Sequence, residues 1–182
     1  PISVAMAEGA RGEMVVSDGG ATIMPSFEYE DISALTAATV PAIVTRVYTR
    51  YRTAANKIGG AWYKRVDSAP SHSLYVQDAS GAYFEIDELH VTPQMAGAIG
   101  DGVANDLAAI NAAKACAKRV YLPPGSMFNC GSGPLTFNTG EGLIGSSRGV
   151  ASASVDRGVA GWLFSGTGTS CIKSADETAA LR

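Results

Sequence analysis

Carboxylates are the side chains in this sequence that could most readily do chemistry. Cleavage of a glycosidic bond needs an acid and a base or nucleophile, usually two carboxylates held a fixed distance apart. No two acids here stand at a recognisable site spacing, and Asp176 and Glu177, as sequence neighbours, would face apart on a strand. Because Asp and Glu are mostly exposed in proteins, we interpret every candidate as surface charge and predict no catalytic residue. The acids considered are Asp78, Glu85, Asp87, Glu88, Asp156, Asp176 and Glu177.

The histidines and the large aromatic residues add no clear site. His72 lies between two serines in a turn-like stretch, and His90 lies where two segments of the chain join. A serine nucleophile would need a strained turn such as G-x-S-x-G, which the sequence lacks. Trp162 and Phe164 could stack on sugars, but their place in a strand-length apolar run favours a position in a core.

The three cysteines do not indicate a metal site. Cys116, Cys130 and Cys171 are too few and too scattered for a disulfide framework or a C-x-x-C zinc motif. Cysteines of this kind are usually buried and inert, although one bridge, within or between chains, stays open. We therefore predict no metal and no cofactor.

A glycine-rich turn at Gly100-Asp101-Gly102 is the one stretch that could hold an anion. Backbone N–H groups before a helix bind phosphate well. The glycines, however, do not follow the order G-x-G-x-x-G, no Lys-Ser/Thr pair follows them, and no clear strand precedes them. Phosphate binding is therefore the disfavoured interpretation of this turn.

The same turn leads into a helix that can be derived locally. Asn105 or Asp106 can act as the N-cap, and the alanines that follow have high helix propensity. An apolar stripe, interrupted only by Lys114, predicts that one face lies on a core. Acids at the start and bases at the end suit the helix dipole. The stripe is Val103, Leu107, Ile110 and Ala117; the charges are Asp101, Asp106, Lys114, Lys118 and Arg119.

Composition excludes several classes of function. The chain has 182 residues, a formal net charge of -3 and 17% charged residues, and its 21 glycines favour a turn-rich β architecture. No basic run is present, so we expect no nucleic-acid partner. No apolar run approaches the roughly 20 residues of a membrane span, so we expect no membrane insertion. Without an N-terminal signal segment, synthesis in a cytoplasm is expected.

The chain divides into three predicted regions. Residues 1–31 contain two short extended runs, Ile2–Val4 and Met14–Val16, and too few apolar residues for a core. This first region must therefore pack on a neighbouring part, a symmetry mate or a partner. Residues 32–92 are predicted to be a small, mostly antiparallel β module with a leading helix. Residues 93–182 hold the helix described above and a series of further strands.

The middle region shows alternating strands separated by turns. A short helix is predicted over Ile32–Thr39, and Pro41 ends it. Turns are predicted at Gly59-Gly60 and Ser80-Gly81. The predicted strands are Ile43–Arg52, Ala61–Val66, Leu74–Gln77 and Ala82–Ile86.

The last region has the spacing of a β-solenoid, whose coils cannot bury their apolar faces alone. A strand at Val120–Leu122 and a turn at Pro123–Gly125 begin it, and Ser146–Gly158 is predicted to be an excursion from a coil. Only two or three coils precede Arg182, so we expect this to be the front of a longer protein. The remaining strand-length runs are Ser126–Phe128, Leu135–Phe137, Leu143–Ile144, Trp162–Phe164 and Cys171–Ile172.

These residues carry a resemblance to a known family. The string Met95-x-Gly97-Ala98-x-Gly100-Asp101-Gly102-x-x-Asn105-Asp106-x-x-Ala109-Ile110-x-Ala112-Ala113, with Val120-Tyr121-Leu122-Pro123-Pro124-Gly125, resembles the leading segment of pectate-lyase-like right-handed parallel β-helices, above all those of bacteriophage tailspikes. In that family the helix caps the N-terminal end of the β-helix. The runs Ala37–Pro41, Gly59–Val66, Pro70–His72 and Gly81–Glu85 are similar to the module before the β-helix in phage tail proteins.

The resemblance implies a fold and a function. It implies a mainly β protein: small N-terminal β units, a capping α-helix and the first coils of a right-handed parallel β-helix. It also implies a homotrimeric tailspike or tail fibre on the virion, docked to a tail or baseplate protein through residues 1–31. A host cell-surface polysaccharide would be bound or cleaved beyond Arg182. The alternative is a free polysaccharide lyase or glycoside hydrolase of the same class, which would be expected to carry export information.

Overall fold

The computed structural model describes residues 26–117, 119–131, 135–138, 141–145, 161–163 and 172–174. The chain divides into two compact units, Pro1–Glu88 and Leu89–Arg182. None of the helices in the described part of the chain is long and apolar enough to cross a membrane. The predicted strands Ile2–Val4 and Met14–Val16 and the excursion at Ser146–Gly158 lie outside the described residues.

The described part of the first unit is a five-stranded sheet with one helix. Its strand order is β1-β2-β3-β5-β4; β1 pairs with β2 in parallel, and the other neighbours are antiparallel. The sheet is thus mostly antiparallel, and its strand β1 precedes the helix. Its elements are β1 (Ser26–Tyr29), α1 (Ile32–Ala37), β2 (Arg46–Thr53), β3 (Ile58–Val66), β4 (Tyr75–Gln77) and β5 (Tyr83–Ile86).

One local prediction for this unit was wrong, and one strand was missed. Gly59-Gly60 is not a turn but lies inside β3, and the turn comes earlier, at Ala54–Lys57. A Cβ atom on Gly60 would lie 2.2 Å from the carbonyl oxygen of Arg50, so glycine lets β3 approach β2 closely. Strand β1 was not predicted at all.

The core of the first unit lies between one face of the sheet and α1. Along β2, Val47 and Thr49 are buried while Arg46 and Arg50 are exposed, which is the alternation of a half-buried strand. Leu35 of α1 is fully buried. The helix begins at Asp31, whose Oδ1 accepts a hydrogen bond of 2.9 Å from the Ala34 N–H. The buried core residues are Phe27, Tyr29, Leu35, Ala38, Val40, Val44, Val47, Ala61, Tyr63, Leu74, Val76, Phe84 and Ile86.

In the described ranges, the second unit consists of short strands and one longer helix. A 3₁₀ turn at Pro93–Ala96 comes first. The remaining elements are β6 (Asp101–Asn105), α2 (Leu107–Cys116), β7 (Arg119–Leu122), β8 (Met127–Asn129), β9 (Leu135–Phe137), β10 (Gly142–Gly145), β11 (Gly161–Leu163) and β12 (Ile172–Ser174).

Three parallel strand pairs in the second unit show the stacking of two coils. Strand β7 pairs with β10, β8 with β11 and β9 with β12, so each strand of one triplet lies beside its counterpart in the next. We call β7, β8 and β9 the first coil and β10, β11 and β12 the second coil. Consecutive triplets of parallel strands are the arrangement of a β-helix.

Strand β6 corrects the prediction for the glycine-rich turn. Asp101–Asn105 forms a strand that pairs with β8 in parallel, with an irregularity in the register. Val103 was predicted on the buried helix face, but it belongs to β6 and is 79% exposed. Gly102 has a φ of +78°, and a Cβ atom there would lie 3.1 Å from Met127 Sδ. Glycine thus allows β6 to lie directly against β8.

Helix α2 closes the first coil. Ile110 is fully buried in a cluster with one side chain from each strand of that coil, namely Leu122, Phe128 and Leu135. Leu107 packs against the same cluster but is only partly buried. The predicted capping face is therefore confirmed at Ile110 and partly at Leu107. Lys118 lies outside the described residues.

Candidate functional site

The four described acids that sequence analysis considered all lie in the first unit. Asp156, Asp176, Glu177, Phe164 and Cys171 fall outside the described residues. Of the four, Asp78 is the most buried, with 5% of its surface exposed. The other three are Glu85, Asp87 and Glu88.

Asp78 binds the backbone of its own unit. Its Oδ1 accepts hydrogen bonds from the Ala82 N–H and from both the N–H and the hydroxyl of Ser80, at 2.7–2.9 Å, and its Oδ2 accepts one from the Val40 N–H at 3.0 Å. Burial opposes the charged form, but these hydrogen bonds lower the pKa of Asp78. The carboxylate therefore joins the β4–β5 hairpin to the chain that follows α1.

Glu85 and His72 form a pair that sequence analysis did not connect. His72 Nδ1 accepts a hydrogen bond from the Leu74 N–H at 3.1 Å, so the proton of the neutral ring lies on Nε2 and is donated to Glu85 Oε1 at 2.9 Å. The hydrogen bond from His72 is the main cause of a lowered pKa at Glu85. Lys64 Nζ lies 3.4 Å from the other carboxylate oxygen. The pair fixes the chain before β4 onto β5.

Asp87 and Glu88 hold the end of β5. Asp87 Oδ2 lies 2.6 Å from an Nη atom of Arg46, and Glu88 Oε1 accepts a hydrogen bond of 2.7 Å from the Trp62 N–H. Beyond the end of β5, the Glu88 carboxylate thus accepts a backbone hydrogen bond from β3, as the carbonyl group of a neighbouring strand would do. Each of the four acids has structural partners that account for its position.

The surface of this sheet opposite α1, which we call the outer face, is rich in rings and ion pairs. Tyr48 and Trp62 have ring centroids 5.1 Å apart, and the Arg46 guanidinium lies 5.1 Å from the Trp62 centroid. The indole is therefore already stacked within the chain, which does not favour it as a platform for a sugar. The outer face comprises Glu28, Arg46, Tyr48, Arg50, Trp62, Lys64, His72, Tyr75, Tyr83, Glu85 and Asp87.

Asp106 occupies the only site where sequence analysis considered an anion. Its carboxylate accepts hydrogen bonds from the N–H groups of Ile99 and Gly100, at 2.7 and 3.2 Å, and from Asn129 at 3.4 Å. The Val103 and Ala104 N–H groups donate to Asp101. The donors that would hold a phosphate are thus used by two carboxylates of the chain itself, which argues against phosphate binding here.

This role of Asp106 differs from the predicted one. Asp106 is at the N-cap position of α2, but its side chain makes no capping bond; Asn105 Oδ1 instead accepts from the Leu107 N–H at 3.1 Å. Asp106 also donates its own N–H to the Asn129 carbonyl at 2.7 Å. It therefore ties the start of α2 to β8 of the first coil.

Lys114 forms a second connection between α2 and the coils. Its ammonium group lies 3.0 Å from Glu141 Oε2, contacts the Thr136 carbonyl and lies 4.6 Å from the Phe137 ring centroid. Glu141 also accepts from the Asn138 N–H and side-chain amide, at 2.9 and 3.0 Å. Desolvation opposes the charged form of Glu141, but Asn138 and Lys114 lower its pKa to about 2.

A metal site is not evident in the ranges that the structure describes. Among these residues, no group of three or more His, Cys, Asp or Glu side chains could hold an ion. Cys130 is buried within the core cluster of the first coil, and Cys116 ends α2.

Comparisons with known proteins bear on the fold. No protein family model and no curated protein matches the chain. The tailspike protein of Acinetobacter baumannii phage AM24 matches 60% of the chain, with 18% identity and a TM-score of 0.53. WceF of Pantoea stewartii, a glycan biofilm modifying enzyme with a bacteriophage tailspike-like parallel β-helix fold, matches 81% of it, with 13% identity and a TM-score of 0.55.

The fold is that of a tailspike-like parallel β-helix. The predicted fold class is thereby confirmed, because the chain is mainly β with a small helical part and its neighbours share the coil architecture. The matched region is only 19% of the phage tailspike and 23% of the Pantoea protein. The chain thus corresponds to about a fifth of these structures.

Proposed function

We propose that the chain is the N-terminal, particle-anchoring part of a phage tailspike, made in the host cytoplasm and carried on the virion tail. The observation that supports this most is the capped start of the β-helix, in which α2 closes the first coil and the second coil stacks on it in register. An independently compact unit precedes this cap. The likeness to the tailspike of phage AM24 supports the same assignment.

Residues 1–31 are proposed to dock the protein on a tail or baseplate protein. The sequence there has flexible glycines and few apolar residues, which is typical of a segment that gains order by packing on a partner. Because β1 starts at Ser26 and pairs with β2, we place the docking contacts before Ser26. Extended runs at Ile2–Val4 and Met14–Val16 would offer backbone groups for sheet addition.

The whole protein is proposed to be a homotrimer whose later coils recognise a host cell-surface polysaccharide. These later coils would follow Arg182, and they would either bind or cleave the glycan. Nucleic acid has no role in this proposal. Light scattering at micromolar concentration is expected to give the mass of a trimer, and a clean monomer or dimer would contradict this part of the proposal.

Deletion of residues 1–25 tests the anchoring role. The truncation ends before β1, so the described sheet stays complete and the protein is expected to melt at the same temperature as the full chain. Anchoring predicts trimers that form normally but are missing from purified particles. Normal incorporation of the truncated protein into particles would rule anchoring out. If the truncated protein is missing from particles, an unchanged melting temperature would exclude misfolding as the cause.

A free glycan-cleaving enzyme is the second candidate. The likeness to the Pantoea stewartii protein, a glycan biofilm modifying enzyme that matches more of this chain than the phage tailspike does, favours it. We expect this chain by itself to show no turnover of capsule or exopolysaccharide in reducing-end and unsaturated-sugar assays. Turnover that is lost on mutation of Asp156 or Asp176 would instead support the enzyme.

A further inference from the structure

Lys114 lies in an unusual place for a lysine. It is on α2, the helix that covers the apolar cluster of the first coil, and its side chain is only 8% exposed. Lysines are almost never buried to this extent unless they are paired. Its partner, Glu141, has a side chain that is 17% exposed, so the charges of both residues are largely withdrawn from water.

The position of Glu141 along the chain indicates which parts of the structure the ion pair connects. Glu141 is the residue directly before β10, the first strand of the second coil. Its carboxylate is held from two sides, by Lys114 of α2 and by Asn138 at the end of the first coil. The pair thus fixes the point at which the chain leaves the first coil and starts to stack on it.

Apolar packing alone defines this stacking weakly. A shift of one residue between β7 and β10 would turn every side chain to the opposite face, whereas a shift of two residues would keep each face. After a shift of two residues, Leu143 of β10 would still lie on the same side of the sheet. A group with a defined direction and distance is needed to exclude the shifted pairing.

We propose that the Lys114–Glu141 ion pair is a register latch, which sets the alignment of β10 on β7 and thereby of the second coil on the first. A desolvated ion pair loses much of its Coulombic gain to the cost of dehydration, and apolar replacements of similar volume are often neutral in stability. The ion pair instead favours one register over the others, as a buried polar residue does in a coiled coil.

Disulfide reporters in the full chain test the latch. In the observed register Tyr121 is opposite Ile144, so Tyr121→Cys with Ile144→Cys places two Cα atoms at strand spacing, about 4.8 Å apart, within disulfide reach. Arg119→Cys with Ile144→Cys reports a shift of two residues, since in the observed register these Cα atoms are about 8 Å apart. Peptide mass spectrometry identifies each linkage separately from those of Cys116, Cys130 and Cys171.

The latch predicts a specific pattern of linkages. With Lys114 and Glu141 present, only the Tyr121–Ile144 reporter is expected to oxidise. With Lys114→Met and Glu141→Leu, both reporters are expected to oxidise, while the melting temperature changes little.

Two further variants serve as controls for this experiment. Lys64→Met removes a partly exposed ion pair in the other unit and is expected to leave both reporters unchanged. If the protein with Lys114→Met and Glu141→Leu does not fold, Lys114→Gln with Glu141→Gln removes the charges at similar volume and carries the same expectation. A single linkage in a folded protein without the pair, whatever its melting temperature, would overturn the proposal.

Discussion

The two units use polar side chains differently. In the first unit, Asp78 and Arg65 bind backbone groups of the segment between α1 and β2: Asp78 accepts from Val40, and Arg65 donates to the carbonyls of Val40, Pro41 and Val44. In the second unit, Asp106 and Lys114 connect α2 to the coils. The first unit thus secures a loop within a sheet, and the second secures a helix over the end of a stack.

This difference follows from the topology. Strands β2 and β3, joined by a short turn, define each other's register, because a hairpin fixes the pairing locally. Parallel strands of successive coils are brought together only by long connections, and loop closure must precede any gain from their contact. The second unit therefore depends on a few long-range contacts at its cap, and substitutions there should have the larger effects.

The largest effect is expected at Ile110. Ile110→Asp places an unpaired charge in the cluster that closes the first coil and is expected to cost roughly 3–5 kcal/mol, as an uncompensated buried charge does. Ala108→Asp adds the same charge on the exposed side of α2 and is expected to change little. Urea unfolding measures both. Similar midpoints for Ile110→Asp and the parent protein would reject the capping role.

The second-largest effects are expected at Asp78 and Asp106, and each is expected to stay within its own unit. Asp78→Ala and Asp106→Ala each leave several backbone donors unsatisfied, at roughly 1–3 kcal/mol for a buried donor. Hydrogen exchange is expected to rise at Val40 and Ala82 in the first variant and at Ile99, Gly100 and Asn129 in the second. Faster exchange across both units in either variant would contradict their separation.

A smaller effect is expected in acid. The pKa of Glu141 is about 2 in the folded chain against a usual 4.5, so its ionised form stabilises the fold above pH 4.5. That contribution is lost as the pH falls through about 2. Glu141→Gln is therefore expected to flatten the acid dependence of the second unit's stability between these values. An unchanged slope in the variant would show that the hydrogen bonds from Asn138 and the ion pair with Lys114 do not lower this pKa.

The smallest effect is expected on the outer face. Lys64→Met breaks an ion pair of 3.4 Å in which the lysine side chain is 48% exposed, and such pairs contribute about 0–1 kcal/mol. Thermal unfolding in low and high salt is expected to differ little from that of the parent. A loss as large as that of Asp78→Ala would mean that the outer face stabilises the first unit as much as its buried anchors do.

Much of the fold could be predicted because its signals are local. Apolar runs such as Leu135–Phe137, bounded by Gly, Ser and Asn, predict strands, and the alanine-rich stretch predicts α2. Strand β1 has only four residues, and β6 contains a glycine, so both strands give weak signals. Gly59-Gly60 has the composition of a turn, but the missing side chain of Gly60 allows β3 to lie close to β2.

The polar contacts were harder to predict because their partners are distant in sequence. Asp106 looks like an N-cap from its neighbours, and only the fold brings it to Ile99 and Asn129. Lys114 did give a signal, since it alone interrupts an apolar stripe, but the stripe cannot show that Glu141 is its partner. His72 and Glu85 likewise meet only through the pairing of β4 with β5.

The central claim, that the protein is anchored on a particle, can be tested directly by its location. Lysates of the cells that make the protein can be separated on a density gradient and probed with an antibody against residues 26–88. The account predicts that the protein bands with intact particles and that the antibody labels their tails in electron micrographs. Recovery of all the protein in the free fraction, with unlabelled particles, would contradict it and favour the free enzyme.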